Sequence, residues 1–300
     1  MKKIIIKSVP YIIVFLLINV VFYQTSDFYK QERKYVKRIE TVINNQSEVI
    51  FLGDSHVETI KLLDLSDNIG NLAFGGDGIN EMYIKVLNML EYNKNLKYIF
   101  IATEPQIFNN TLSSNSTFLN KYISQVDDEL EVYKKSKLDL ISERIPLFND
   151  SFLRFALNRV YTYFKPDNVD KNKDKDWSKL TDSERKEIAI NTGKLDHNSI
   201  MTNNDYLETY KKIISLCKTH NIKVFGVRFP VSQHYINQCK EEESLKVDSF
   251  IQSLNLHKHF DYSTRITVPE YFHDEDHLNL KGVEKLSEII FENTNVKLTN

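Results

Sequence analysis

Five short apolar runs constrain the fold of this chain most: EVIFL at 48–52, IGNLAF at 69–74, LKYIFIAT at 96–103, IKVFGVRFP at 222–230 and HFDYS at 259–263. Short, continuously apolar runs bounded by turn residues suit parallel strands buried on both faces. Helix-periodic segments follow them: INEMYIKVLNMLEY after the turn GGDG, NDYLETYKKIISLCKTHN with Asn204 or Asp205 as N-cap, EEESLKVDSFIQSLN, and a last helix capped by Asn279. Strands alternating with helices predict an α/β domain, a three-layer α/β/α arrangement of about five parallel strands.

The N-terminus obeys a different physics. MKKIIIKSVPYIIVFLLINVVFY sets three lysines ahead of an uncharged apolar run from Ser8 to Tyr23, which predicts insertion into a membrane. Bulky aromatics stand where a signal-peptide cleavage site would need small residues, so an uncleaved anchor is expected at 1–25. Lys2, Lys3 and Lys7 place the N-terminus in the cytoplasm and deliver the bulk of the chain outside it. Residues 26–47, charged and helix-compatible, read as a stalk, and the domain proper as 48–300.

Between about Asn109 and Asn204 the strand rhythm stops. Aromatic helical text (FLRFALNRVYTYF) adjoins the polar tract KPDNVDKNKDKDWSK, which predicts a helical insertion that could act as a lid or bind a partner. The 39 basic and 41 acidic residues leave a net charge of −2, so no global field favours nucleic acid. Neither phosphate-binding glycine pattern is present, which argues against a nucleotide, and no cofactor is expected. Cys217 and Cys239 could pair in an oxidising compartment but fit buried helix positions equally well.

In a parallel sheet, functional groups collect at the carboxyl ends of strands. GDSH, Gly53 to His56, occupies that end of the first strand. A serine is a weak nucleophile near neutral pH and needs an imidazole, itself oriented by a third group. His56 adjoins Ser55, but neighbouring side chains on a turn diverge and nothing beside it in sequence orients its ring, so it reads as a packing or substrate-contacting residue. Asp274 and His277, three apart before the last helix, have the spacing at which a carboxylate can hold Nδ1 while Nε2 points outward.

FLGDSH near the start of the domain and DEDHLN near its end resemble the SGNH/GDSL hydrolase superfamily. The resemblance spans roughly Glu48 to Asn293 and implies a flavodoxin-like fold, with Ser55 as nucleophile, His277 as general base and Asp274 as orienting acid. It further implies an oxyanion hole from the amides of Ser55 and of Gly75 or Gly76. The family's G-x-N-D block is absent, since the third strand ends in TEPQ, so Thr103 or Gln106 would have to stand in for its asparagine. Losing one such donor costs about 3–4 kcal/mol of transition-state stabilisation where it has been measured. Asp54 reads as structural. Membrane-anchored relatives that modify cell-envelope polymers also diverge in this block.

Plainer roles compete at other positions. Arg228 could face an anionic substrate or form a structural salt bridge. His273 with Asp276 or His277 lacks a clear third metal ligand, so no metal is expected. His220, His257 and His259 sit at helix ends and strand starts, where solvated histidines are ordinary. The function expected is serine-dependent acyl-ester hydrolysis or O-acyl transfer outside the cytoplasm, on an acylated cell-envelope polysaccharide. The rival is a non-catalytic, membrane-anchored accessory protein that binds a glycan or a membrane acyltransferase partner.

Overall fold

A computed structural model describes residues 2–108, 116–119, 142, 144–164, 176–196, 204–238 and 241–299. Cys239 and much of the insertion, including most of the tract KPDNVDKNKDKDWSK, lie outside the described residues. The chain divides into two compact units, 1–37 with 120–171 and 38–119 with 172–300.

The second unit holds the sheet. Strands β1 (Val49–Leu52), β2 (Ile69–Asn71), β3 (Tyr98–Ala102), β4 (Lys223–Arg228) and β5 (Lys258–Asp261) are all parallel, in the order β2-β1-β3-β4-β5. This is the doubly wound order with its switch point between β1 and β3, where the connections leave in opposite directions and open a crevice. The five apolar runs each supply one strand. Ile50, Phe51, Leu52, Ile99, Phe100 and Ile101 are buried on both faces of the sheet, which is why these strands show no alternation of apolar and polar residues. Phe51 stacks on Phe100 (4.7 Å between centroids), and Phe100 on Phe225 (5.0 Å). The stack crosses three neighbouring strands in register.

Helices surround the sheet: α3 (Ser55–Glu58), α4 (Ile79–Tyr92), α6 (Asp182–Asp196), α7 (Asn204–Thr219), α8 (Gln233–Ile236), α9 (Glu241–Ser253) and α10 (Leu280–Thr294). The expected cap of α10 forms, with Asn279 Oδ1 accepting from the Gly282 amide at 3.1 Å. Cys217, on α7, is buried and free.

The first unit contains α1 (Lys2–Thr25), most of α2 (Asp27–Asn44) and α5 (Asp150–Phe164). Lys7–Thr25 is long and apolar enough to cross a membrane and is hardly buried within the protein. The segment expected to be a solvated stalk is helical, and its last turns belong to the sheet unit. Val42 is buried so close over Gly70 that a Cβ on that glycine would fall 2.6 Å from Val42 Cγ1.

One ion pair anchors the turn between β2 and α4. Asp77, fully buried in GGDG, is bonded to the ammonium of Lys85 eight residues on in α4, and the same ammonium donates to the Leu72 carbonyl. Burial pulls the Lys85 pKa down despite Asp77. Removing one member of such a pair strands the other charge without water. Lys85→Met is therefore expected to destabilise the protein by about 3–5 kcal/mol, measured as a lower urea midpoint. A loss below 1 kcal/mol would show that Asp77 finds another partner.

Candidate active site

The crevice at the β1/β3 switch point is built from three loops. The first is GDSH. Gly53 is required by proximity, because a Cβ there would lie 2.4 Å from Val57 Cγ2 and 2.9 Å from Ala102 Cβ. Asp54 caps α3, its Oδ1 accepting from the His56 amide at 3.0 Å, so the structural role expected for it is the one it plays. Ser55 opens α3 and is half-buried. Among the described residues neither its amide nor its hydroxyl has a hydrogen-bond partner, which leaves both available to a ligand.

The second loop is DEDH, between β5 and α10. Asp274 Oδ1 accepts from the amides of Asp276 (3.2 Å) and His277 (2.8 Å), closing a tight turn, and contacts His277 Nδ1 at 2.8 Å. Asp276 Oδ1 reaches the same Nδ1 at 2.7 Å. Two carboxylates thus face one ring nitrogen, and they differ in setting: the Asp276 side chain is 10% exposed and that of Asp274 37%. Among the described residues Nε2 of His277 is unpartnered.

Asp276 also joins the two loops. Its Oδ2 lies 3.2 Å from Nε2 of His56, 220 positions earlier in the chain, and the His56 and His277 rings meet edge to face with centroids 5.2 Å apart. Gln106, on the third loop after β3, places its amide nitrogen 3.0 Å from Nδ1 of His56. The unbroken relay Gln106–His56–Asp276–His277 overturns the expectation that nothing orients His56. Its ring is held at both nitrogens by groups remote in sequence.

The electrostatics follow from that relay. Burial disfavours a charged His56, but Asp54 and Asp276 outweigh it and raise its pKa to about 9. Burial acts likewise on His277, and Asp276 with Asp274 overcomes it, holding that pKa well above the ordinary histidine range. Asp276 is in turn held far below the usual carboxylate range by the two imidazoles, against its burial. Both histidines bind their protons more tightly when folded. Their contribution to stability is thus complete below about pH 6.5, and that of His56 is lost as pH rises through about 9. Melting temperature is expected to fall between pH 7 and 10, and less steeply in Asp276→Asn; an unchanged slope in the variant would contradict the linkage.

Of the expected oxyanion donors, the Ser55 amide has no partner among the described residues and the Gly75 amide has one. The Gly75 amide donates to Glu58 Oε2 at 2.8 Å, so it is already engaged, although the glycine sits close enough to Ser55 for an added Cβ to lie 3.5 Å from the serine Cβ. Gly76 is left-handed (φ 82°), a conformation that suits glycine. Of the two proposed stand-ins, Thr103 is fully buried with its Oγ1 3.0 Å from His259 Nε2, and Gln106 is committed to His56. Arg228 forms ion pairs with Asp248 (2.6 Å) and Asp261 (3.1 Å), the structural alternative of its two readings. Among the described residues two groups could offer metal ligands, His56 with Asp276 and His277, and Asp274 with Glu275 and Asp276, and His273 is in neither.

A cavity of about 120 Å³ opens beside His56, lined also by Glu104, Gln106, Phe229, Val231 and Tyr235. A 150 Å³ apolar cavity accepts benzene, so this one suits a chain of a few carbons. Glu104 accepts from the Phe229 amide at 2.9 Å through one oxygen and leaves the other without a partner. Burial and Asp54 raise its pKa to about 7.

No family model matches the chain, and no curated protein matches it. Solved structures are similar to it, two of them as follows. One is a Bacteroides fragilis protein put forward as an acylhydrolase, 11% identical with a TM-score of 0.38, the match covering 82% of this chain and 86% of that one. The other is a GDSL-like lipase of Bacteroides thetaiotaomicron, 9% identical with a TM-score of 0.38, covering 87% and 98%.

The links of Asp276 and Gln106 to His56 escape the sequence reading, which names Gln106 as a stand-in oxyanion donor and Asp276 as a possible metal partner of His273. The doubled acid in DEDH was the one available signal for Asp276, since a histidine preceded by Asp at both i−3 and i−1 offers two orienting carboxylates. Nothing local marks Gln106, whose partner is 50 residues away.

Proposed function

We propose that this chain is a serine-dependent acyl-ester hydrolase or O-acyltransferase of SGNH type, acting outside the cytoplasm on an acylated cell-envelope polysaccharide. The observation that carries the reading is the bridge made by Asp276, which holds the GDSH and DEDH turns together at the sheet's switch point. Ser55 Oγ and His277 Nε2, the two atoms that acyl transfer needs, have no partner among the described residues, while Nδ1 of His277 is held by Asp274 and Asp276.

In the proposed mechanism Ser55 Oγ attacks the ester carbonyl while Nε2 of His277 takes its proton. The Ser55 amide donates to the developing oxyanion. The tetrahedral intermediate collapses, His277 returns the proton to the leaving sugar hydroxyl, and the acyl group remains on Ser55. Water or a second sugar hydroxyl, deprotonated by His277, then attacks the acyl-enzyme and releases the serine. The small cavity beside His56 suits a short acyl group, and the anchor at α1 would keep the enzyme at the envelope.

A general base must be neutral to act, and His277 holds its proton tightly. The acid limb of kcat/KM against pH is therefore expected above pH 6.5, and it should move down towards that value in Asp276→Asn. A wild-type limb centred at or below 6.5 would contradict the assignment of His277.

One observation favours a second reading, the non-catalytic accessory protein: Gly75, Thr103 and Gln106 all have their candidate oxyanion donors or hydroxyls committed elsewhere. Labelling of the full chain in detergent with a fluorophosphonate probe decides between the two. Labelling of the wild type that disappears in both Ser55→Ala and His277→Ala supports the enzyme. Equal labelling of wild type and Ser55→Ala, or none of either, supports the accessory protein.

A further inference from the structure

We infer that α5 is a second membrane-contacting element, an amphipathic helix that lays Leu157, Val160, Tyr161 and Phe164 into the surface of the bilayer that α1 enters. The inference rests on α1 lying in a bilayer and does not depend on the chemistry at Ser55. These four side chains follow the i, i+3, i+4, i+7 spacing that puts them on one helix face. All are exposed, Val160 by 54% and Phe164 by 75%. The opposite side carries Arg159 and Thr162, with Phe152 and Phe155 packed on Phe22 and Phe28. A contiguous apolar face of this kind, beside a polar one that includes a basic residue, is the composition of a helix lying in a lipid interface.

What selects lipid as the occupant is continuity with α1 within the same unit. The turn that leads into α5 lies against the apolar run of α1: Phe148 meets Phe15 at 5.5 Å between ring centroids, and the Leu147 amide donates to Asn19 Oδ1 at 3.0 Å. Asn19, the one polar side chain in the middle of that run, also donates through Nδ2 to the Phe15 carbonyl at 2.8 Å. A polar residue at hydrocarbon depth needs such internal partners, and the turn before α5 supplies one of them. Farther along, Phe152 packs on Phe22 at 5.5 Å, and Arg159 pairs with Asp27, the first charged residue after the apolar run. The start of α5 is thus fastened to residues of the candidate span, and the exposed face lies within a few turns of it. Tyr161 is of the type enriched where lipid headgroups meet hydrocarbon.

The test uses full-length protein in vesicles of phosphatidylcholine and phosphatidylglycerol at 7:3 on the order of physiological anionic charge. An environment-sensitive thiol label is placed by Val160→Cys, Phe164→Cys or Thr162→Cys, with Leu17→Cys on α1 as reference, all in a Cys239→Ser background because Cys217 is buried. Labels at 160 and 164 are expected to emit to the blue and to be quenched by nitroxide-bearing lipids several-fold more than a label at 162, which aqueous iodide should quench instead. If Leu17 is quenched by lipid but 160 and 164 respond only to iodide, the proposal is overturned. Shielding of 160 and 164 from both quenchers overturns it too, and shows a protein surface covering α5. If the Leu17 label itself escapes lipid quenching, it is the anchor reading of α1 that fails, and the proposal with it.

Discussion

If the proposed reading holds, Asp276→Asn is expected to lower kcat/KM about 10⁴-fold, as loss of the buried carboxylate does in serine triads, while Asp274→Asn lowers it about tenfold, the worth of one exposed hydrogen bond. The ranking follows from geometry. Both acids reach Nδ1 of His277, at 2.7 and 2.8 Å, but only Asp276 is buried, and only Asp276 also holds His56. An amide at 276 leaves buried His56 and half-buried His277 without the charge that fixes their protons. It should therefore also destabilise the fold, by about 3–5 kcal/mol as for other broken buried pairs. Asp274 spends its oxygen on two backbone amides as well, so its loss loosens the turn before it disturbs the ring. Steady-state hydrolysis of an activated short-chain ester, with urea unfolding alongside, measures both effects. If Asp274→Asn proved the more damaging variant, the exposed acid would be the orienting group.

Ser55→Ala should abolish turnover, by about 10⁴- to 10⁶-fold, with stability unchanged to within about 0.5 kcal/mol. The combination is informative because the Ser55 hydroxyl has no hydrogen-bond partner among the described residues and is only half-buried, so its removal disturbs no packing and orphans no buried group. Retention of more than a hundredth of wild-type turnover would exclude Ser55 as the nucleophile. Loss of turnover together with a large fall in unfolding midpoint would instead indicate a structural hydroxyl.

Where the sequence was informative, the signal was local. Apolar runs marked every strand because burial on both faces leaves no room for polar alternation, and Asn279 marked the start of α10 because a capping side chain reaches only its own helix's first amides. The Asp274–His277 contact was legible for the same reason, its partners being three residues apart in one turn. His56 was misjudged because both groups that orient it come from elsewhere, Gln106 from the loop after β3 and Asp276 from the loop after β5. The amide of Gly75 or Gly76 was expected to join an oxyanion hole, and that of Gly75 donates to Glu58, on α3. The stalk was read as solvated because α2 is rich in charge, yet Val42 closes over Gly70 and Arg38 pairs with Glu58.

By itself the sequence determined the kinds and order of the elements, the apolar N-terminal run, and the short turns that end the strands, all properties of neighbouring residues and of the 2.0 and 3.6 residue periods. Tertiary structure alone decided the strand order β2-β1-β3-β4-β5 and, through it, which loops share the crevice. Side chains 50 and 220 positions apart come within hydrogen-bonding distance there. No periodicity along the chain encodes such a meeting, because it depends on where the connection from β1 to β2 and back to β3 reverses direction.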